Sequence, residues 1–216
     1  MKDLSAIVSE ALETLKSGGL ILYPTDTVWG IGCDACNEEA VQKVFALKKR
    51  SGAKSLVLLA SDMDMVARYI RTIPSIAIDL VEVNDAPMTI VYPGAEVASA
   101  KGGFGLAPSV VAEDGSVGIR VPRIVPGEEG NAVSAGAVFC NKLVYRLRRP
   151  LVSTSANISG EPAPGNFTQI AKEILDGVDY VVPASFEGGR FDDTSSGRAS
   201  QIIKLGLRGE VEIIRK

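Results

Sequence analysis

The chain has 216 residues, 46% hydrophobic and 23% charged, with a formal net charge of −3; that is length for one sizeable core, and the acidic balance argues against bulk nucleic-acid binding. No apolar run approaches the roughly 20 residues of a membrane span. Histidine is absent, which excludes His-dependent triads, His-ligated zinc and imidazole acid–base catalysis within the chain. Chemistry here must rest on Lys, Arg, carboxylates, hydroxyls, backbone amides or a loosely held metal ion.

Met1 to Ser17 reads as an amphipathic helix, with Leu4, Ile7, Val8, Ala11, Leu12 and Leu15 at helical spacing and Gly18-Gly19 closing it. It lacks the basic-then-apolar pattern of a leader, so a cytoplasmic location without membrane association is expected. Leu20 to Tyr23 is a short apolar run between glycines and a proline, a buried strand. Thr25, Asp26 and Thr27 follow, two hydroxyls and a carboxylate at the mouth of that strand. They suit a small polar ligand and equally suit a hydrogen-bonded turn. Gly30 and Gly32 allow close backbone approach.

Asn37 is placed to cap a second helix with Glu38 and Glu39 in its first turn, and Val41, Val44, Phe45 and Leu47 supply its apolar positions. It ends in the basic cluster Lys48-Lys49-Arg50-Ser51-Gly52-Ala53-Lys54, followed by a buried strand at Leu56 to Ala60. Cations at a helix C-terminus complement its dipole. In a tight turn before a strand, Lys48, Arg50 and Lys54 also suit a polyphosphate. Gly52-Ala53-Lys54-Ser55 is not a P-loop, because Leu47 stands where its first glycine is required.

Further helices are expected near Asp62 to Tyr69 and over Pro74 to Val81, the latter with proline in its first turn. Met88 to Tyr92 and Val117 to Val121 read as strands, Ala137 to Leu147 as a helix and Leu151 to Ser153 as a strand. A helix near Thr168 to Leu175 and strands near Tyr180 to Val182, Ile202 to Leu205 and Val211 to Ile214 complete the pattern; Phe186 to Gly197 reads as surface loop. Arg120 projects from one face of its strand, where it can pair with a protein or a ligand carboxylate. Ser153-Thr154-Ser155-Ala156-Asn157-Ile158-Ser159-Gly160 follows a strand as Thr25 to Thr27 does, and reads as an Asx- or Ser-type turn or as a second ligand loop. The cysteines, Cys33, Cys36 and Cys140, read as small core residues, since the C-x-x-C pair has no second pair to complete a zinc site. The interleaving predicts one α/β domain over residues 1–216 with a mixed sheet.

Tyr-Pro-Thr-Asp-Thr-Val-Trp-Gly at 23–30, Lys48-x-Arg50-x-x-x-Lys54, Gly118-Ile-Arg-Val-Pro and Ser153-Thr-Ser-Ala-Asn-x-Ser-Gly at 153–160 together resemble the YrdC/Sua5 family of threonylcarbamoyl-AMP synthases. The resemblance covers essentially the whole chain and points to the short bacterial form, without the extra C-terminal domain of the Sua5 branch. It implies a twisted mixed open sheet with flanking helices and a concave basic face. It also implies synthesis of threonylcarbamoyl-AMP from L-threonine, bicarbonate and ATP, with release of pyrophosphate and magnesium bridging phosphates. The product is passed to downstream proteins that modify tRNA. By the same resemblance Thr27, Lys48, Arg120 and Ser200 fall where threonine binds. Arg50, Lys54, Ser155, Asn157, Ser159 and Arg215 fall where ATP binds, Lys48 and Arg50 being the catalytic cations, with no protein Cys or His as metal ligand.

Departures from the family pattern include Trp29 for tyrosine, Ser51 and Ser55 for prolines, Leu59 for histidine, Arg123-Ile124-Val125-Pro126 for a segment ending His-Pro, and Ala199-Ser200-Gln201 for Pro-Ser-Thr. The competing readings are a paralogue with altered substrate choice and a non-catalytic protein that binds double-stranded RNA or the ribosome.

Overall fold

The structure, a computed structural model, describes residues 1–50, 56–84, 86–99, 103–122, 124, 133–192 and 195–216. Helix α1 (Leu4–Lys16) starts at Asp3, whose carboxylate accepts the Ala6 amide at 2.6 Å, and ends at Gly18, which takes φ +78°. Strands β1 (Ile21–Tyr23) and β2 (Gly30–Gly32) form an antiparallel pair across the Thr25 turn. Helix α2 (Glu38–Leu47) is capped by the Asn37 side chain, as its sequence predicts. Strand β3 (Val57–Leu59), helix α3 (Met63–Tyr69, capped by Asp62), helix α4 (Ile76–Val83), strand β4 (Met88–Tyr92) and strand β5 (Val117–Arg120) lead to helix α5 (Ala135–Leu147). Strand β6 (Leu151–Ser155), helix α6 (Lys172–Asp176), strand β7 (Tyr180–Val181), the hairpin β8 (Ser185–Phe186) with β9 (Gly189–Arg190), and strands β10 (Gln201–Leu205) and β11 (Val211–Arg215) follow.

Nine strands form one open mixed sheet in the order β11-β10-β4-β5-β3-β6-β2-β1-β7. Parallel pairs are β10 with β4, β3 with β5 and β1 with β7; the other neighbours run antiparallel. Helix α1 packs on α5 and on the β1–β7 side. Their buried stripes, Ile7, Val8, Ala11, Leu12 and Leu15 on one helix and Phe139, Leu143, Val144 and Leu147 on the other, join the sheet's inner face in one core. Among the described residues no helix is long and apolar enough to cross a membrane.

Two local expectations need correction, and one strand adds to the sequence reading. Gly30-Ile31-Gly32, read from sequence only as glycines that allow close approach, is a strand, because glycine lets the pairing close: a Cβ on Gly32 would meet the Val152 carbonyl at 2.5 Å and the Tyr23 ring at 2.7 Å. Pro74 stands outside α4, which begins after Ser75. The Phe186 to Gly197 stretch is not merely surface loop. It holds the β8–β9 hairpin and delivers Phe191, 1% exposed, against Trp29, Phe139 and Phe186. Two-residue strands carry no periodicity for a sequence to display, and one aromatic among polar residues does not announce its burial.

Phe191→Ala is expected to lower stability by about 3–5 kcal/mol through the cavity it leaves. Phe104→Ala removes a ring that is 63% exposed and stacks on Tyr69, and should cost only about 0.5–1.5 kcal/mol. Urea unfolding of both variants checks the contrast; equal losses would place Phe191 outside the core.

Candidate active site

A cavity of about 750 Å³ opens where the loop after β1, the turn after α2, and strands β5, β6, β10 and β11 converge. Its wall carries Arg50, Arg120 and Arg215, the hydroxyls of Thr25, Thr27, Ser153, Thr154, Ser155 and Ser200, and an apolar side formed by Val28, Leu56, Val57, Ile202 and Ile214. Arginines and hydroxyls beside an apolar surface suit a phosphorylated ligand with a flat ring and a second, small polar ligand.

The Thr25 turn is built from its own side chains. Thr25 Oγ1 accepts the amides of Thr27 at 2.9 Å and Val28 at 3.2 Å and donates to the Val28 carbonyl at 2.8 Å. Thr27 Oγ1 lies 2.7 Å from it. This is the hydroxyl-capped turn that Thr and Ser favour. Helix α5 presses on the turn through Gly136, where a Cβ would stand 2.2 Å from the Thr25 carbonyl oxygen, so only glycine fits. The Cys140 thiol donates to the Pro24 carbonyl at 3.3 Å.

Arg120 ends β5 at 4% exposure, and its Nη1 donates to Asp26 Oδ1 at 2.6 Å. Of the alternatives for a strand arginine, the protein carboxylate is therefore present, and Arg120 still lines the cavity. Backbone bonds then fasten the segment before β10 to the turn: the Ser196 amide donates to the Asp26 carbonyl and the Gly197 amide to the Thr27 carbonyl, each at 2.8 Å. That segment delivers Ser200, whose Oγ lies 2.8 Å from buried Thr89 Oγ1. Arg215, from the neighbouring edge strand, donates through Nε and Nη2 to the Ser200 carbonyl at 2.9 and 2.6 Å.

Lys48, a residue 3% exposed, caps α2, and its ammonium donates to the carbonyls of Ser155 and, at 2.7 Å, of Asn157. The Ser159 amide returns a bond to the Lys48 carbonyl at 2.9 Å. Burial first, and then nearby Arg50, push the Lys48 pKa down to about 8. Lys49 takes φ +50°, the left-handed conformation that ends many helices, and this turns the chain so that Arg50 reaches the cavity. Burial lowers the pKa values of Arg50 and Arg215 as well.

Of the residues named from sequence, the structure brings Thr27, Arg50, Arg120, Ser155, Ser200 and Arg215 to one cavity. Lys48, Asn157 and Ser159 form the hydrogen-bonded loop beside it. Asn157 Nδ2 donates to the Ile158 and Glu161 carbonyls at 2.9 and 2.7 Å, and its Oδ1 is buried without a partner among the described residues. Lys54 lies outside the described residues, as do Ser51, Ser55 and Arg123. Thr25 and Ser153 also line the cavity, although the family resemblance gives neither a role; both sit inside the motifs that point here, and their hydroxyls are the available signal.

Two departures from the family pattern acquire a physical reading. The Trp29 indole is 2% exposed, donates to Asp192 at 2.6 Å and packs on Phe167 at 4.9 Å between ring centroids, so it fixes the fold behind the site. Leu59 is buried in β3 opposite Arg120 and Leu151. Cys33 and Cys140 are packed in the core, where burial pushes their thiols up. Half-buried Cys36 donates to the Tyr69 hydroxyl at 3.6 Å and is pushed up to about 11, mainly by burial.

The Sua5/YciO/YrdC family model, described as "Telomere recombination", matches residues 13–216, and the chain belongs to that family. The threonylcarbamoyl-AMP synthase of Stenotrophomonas maltophilia is 31% identical over 87% of this chain and 90% of its own. The synthase of the same name from Pseudomonas aeruginosa PAO1 is 30% identical over 83% and 86%. Among solved structures, P. abyssi Sua5 complexed with L-threonine matches with TM-score 0.70 and 24% identity over 92% of this chain, which spans 50% of that longer chain. MTH1692 of Methanobacterium thermoautotrophicum matches with TM-score 0.62 and 29% identity over 96% and 84%.

Lys48 yields a pH test. With its folded pKa near 8 and an ordinary value of 10.5, the unfolded chain holds the extra proton between those values, so stability attributable to Lys48 rises with pH across that window and is flat below it. The gap in unfolding free energy between wild type and Lys48→Met should therefore move in favour of wild type from pH 8 to 10.5. The slope should not exceed about 1.4 kcal/mol per pH unit. Parallel stability curves from denaturant titrations would refute the buried ammonium.

Proposed function

We propose that the chain makes threonylcarbamoyl-AMP from L-threonine, bicarbonate and ATP, releasing pyrophosphate, and that the product serves tRNA modification through downstream transfer proteins. The observation that carries this reading is the cavity itself. It joins Arg120, held at one edge by a carboxylate, to Arg215, held by a backbone carbonyl, with Arg50 on the same wall. The synthase names of the relatives and the L-threonine complex of P. abyssi Sua5 support it.

In this reading the threonine carboxylate meets Arg120, and the hydroxyls of Thr27 and Ser200 orient its amine and side chain. The amine nitrogen bonds to the carbon of bicarbonate-derived carbon dioxide and loses a proton. A carbamate oxygen then attacks the α-phosphorus as the bond to the departing pyrophosphate breaks. Arg50, Arg215 and Lys54 meet the triphosphate, and stabilising its charge in the transition state is the larger part of the work. Ser155, Asn157 and Ser159 bound the nucleotide, and Lys48 acts through the loop that it holds. Among the described residues no group of three or more His, Cys, Asp or Glu is assembled, and Asp26 is engaged by Arg120. A magnesium ion would ride on the phosphate oxygens, and no step here is assigned to it. The dense hydroxyl lining and buried ion pair favour this over a surface for an RNA duplex, which would need exposed cations along a groove.

Pyrophosphate release from ATP that depends on both threonine and bicarbonate is the expected result; release without threonine, or none at all, overturns the reading. Arg120→Lys keeps the charge and loses the planar fork, so it should raise KM for threonine well beyond KM for ATP. A destabilised variant with unchanged threonine dependence would remove Arg120 from the substrate. Arg50→Ala should weaken ATP binding by about 1.5–3 kcal/mol, the range for a hydrogen bond to a charged group; unchanged affinity by calorimetry would exclude Arg50.

A further inference from the structure

Asp26 is an acid set behind the arginines and hydroxyls of the cavity wall, and the reaction scheme gives it nothing to do. Its side chain is 13% exposed and bonds Arg120 Nη1 at 2.6 Å, while its own backbone carbonyl accepts the Ser196 amide at 2.8 Å. Thr25 and Thr27, on either side of it, line the cavity; Asp26 does not. The carboxylate therefore reaches the ligand space only through the guanidinium.

A guanidinium presents its donors in a rigid plane, so fixing one edge fixes the direction of the other. Arginine also carries considerable rotamer freedom, and a partner that removes it beforehand lowers the cost of ordering at binding. We propose that Asp26 is a positioning residue. It holds the Nη1 edge of Arg120 so that the rest of the fork faces the cavity and receives the carboxylate of the amino-acid substrate. The same residue joins this arginine to the segment carrying Ser200, so two of the groups assigned to threonine share one support. This inference rests on the proposed reaction and adds a residue to its selectivity for an amino acid.

The test exploits a conflict of signs. On Coulomb grounds alone, neutralising a carboxylate 2.6 Å from the guanidinium would strengthen binding of a second carboxylate. Loss of orientation weakens it. Asp26→Asn should raise KM for threonine by about tenfold or more, the equivalent of one hydrogen bond to a charged group. KM for ATP should stay put and Asp26→Glu should recover part of the loss. Calorimetric titration with L-threonine makes the same comparison without turnover, and a thermal melt of each variant accompanies it.

Threonine binding that is unchanged or tighter in Asp26→Asn overturns the assignment. So does an equal rise in both Michaelis constants together with a lowered melting temperature, which is the outcome of a purely structural pair. A wild type that binds threonine but releases no pyrophosphate overturns the proposed reaction, and the ratio of dissociation constants then decides Asp26 by itself. A wild type that does not bind threonine overturns both.

Discussion

A guanidinium at 4% exposure inside a sheet has to be partnered, because an ionised group left dry and alone costs several kcal/mol. Asp26 meets that demand for Arg120, and much of the site follows from the pairing. The partner must come from another element, so the turn after β1 is drawn onto the end of β5. Thr25 ties the turn to itself, Gly136 clears the space above it, and the Ser196 and Gly197 amides dock onto its carbonyls. Removing a partner from such a pair costs more than never having built it.

The cations are held in two different ways. Arg120 faces a carboxylate, which cancels its charge locally. Lys48 and Arg215 face backbone carbonyls, of Ser155 and Asn157 and of Ser200, which satisfy their donors and leave the charge unspent. A carbonyl partner orients a cation without neutralising it, so positive potential remains available to a polyanion. The neutralised arginine lies where a small, singly charged carboxylate is proposed, and Arg215 where a triphosphate is proposed.

Most of the fold is legible in the sequence alone. Helix α2 can be read from Asn37 and the two glutamates after it, α1 from an unbroken apolar stripe, and β4 from a five-residue run rich in β-branched and aromatic side chains, because each signal is local. The elements that escape such a reading draw their reason from distant contacts. The strand Gly30–Gly32 exists because Tyr23 and Val152 leave no room for a side chain, and Phe191 is buried by aromatics far away in sequence. The site divides the same way. Motif residues point to the Thr25 turn and to Ser155, whereas nothing in the sequence tells whether Arg120 meets a protein acid, nor that Lys48 turns inward onto carbonyls beside the cavity.

The cavity draws on the turn at Thr25, on Arg120 and on Ser200 and Arg215, and the Thr89–Ser200 bond alone spans 111 residues of chain. Strand β10 reaches β4 as a parallel neighbour, so the chain must return from a long excursion before Ser200 finds its place. Contacts of such separation carry a loop-closure entropy cost that is met before they reward it. Binding competence therefore depends on closures between distant parts of the chain. The pairings of β2 with β6 and of β1 with β7 reach further still along the chain, so no contiguous fragment holds the cavity, and a ligand finds its grip only on the closed sheet.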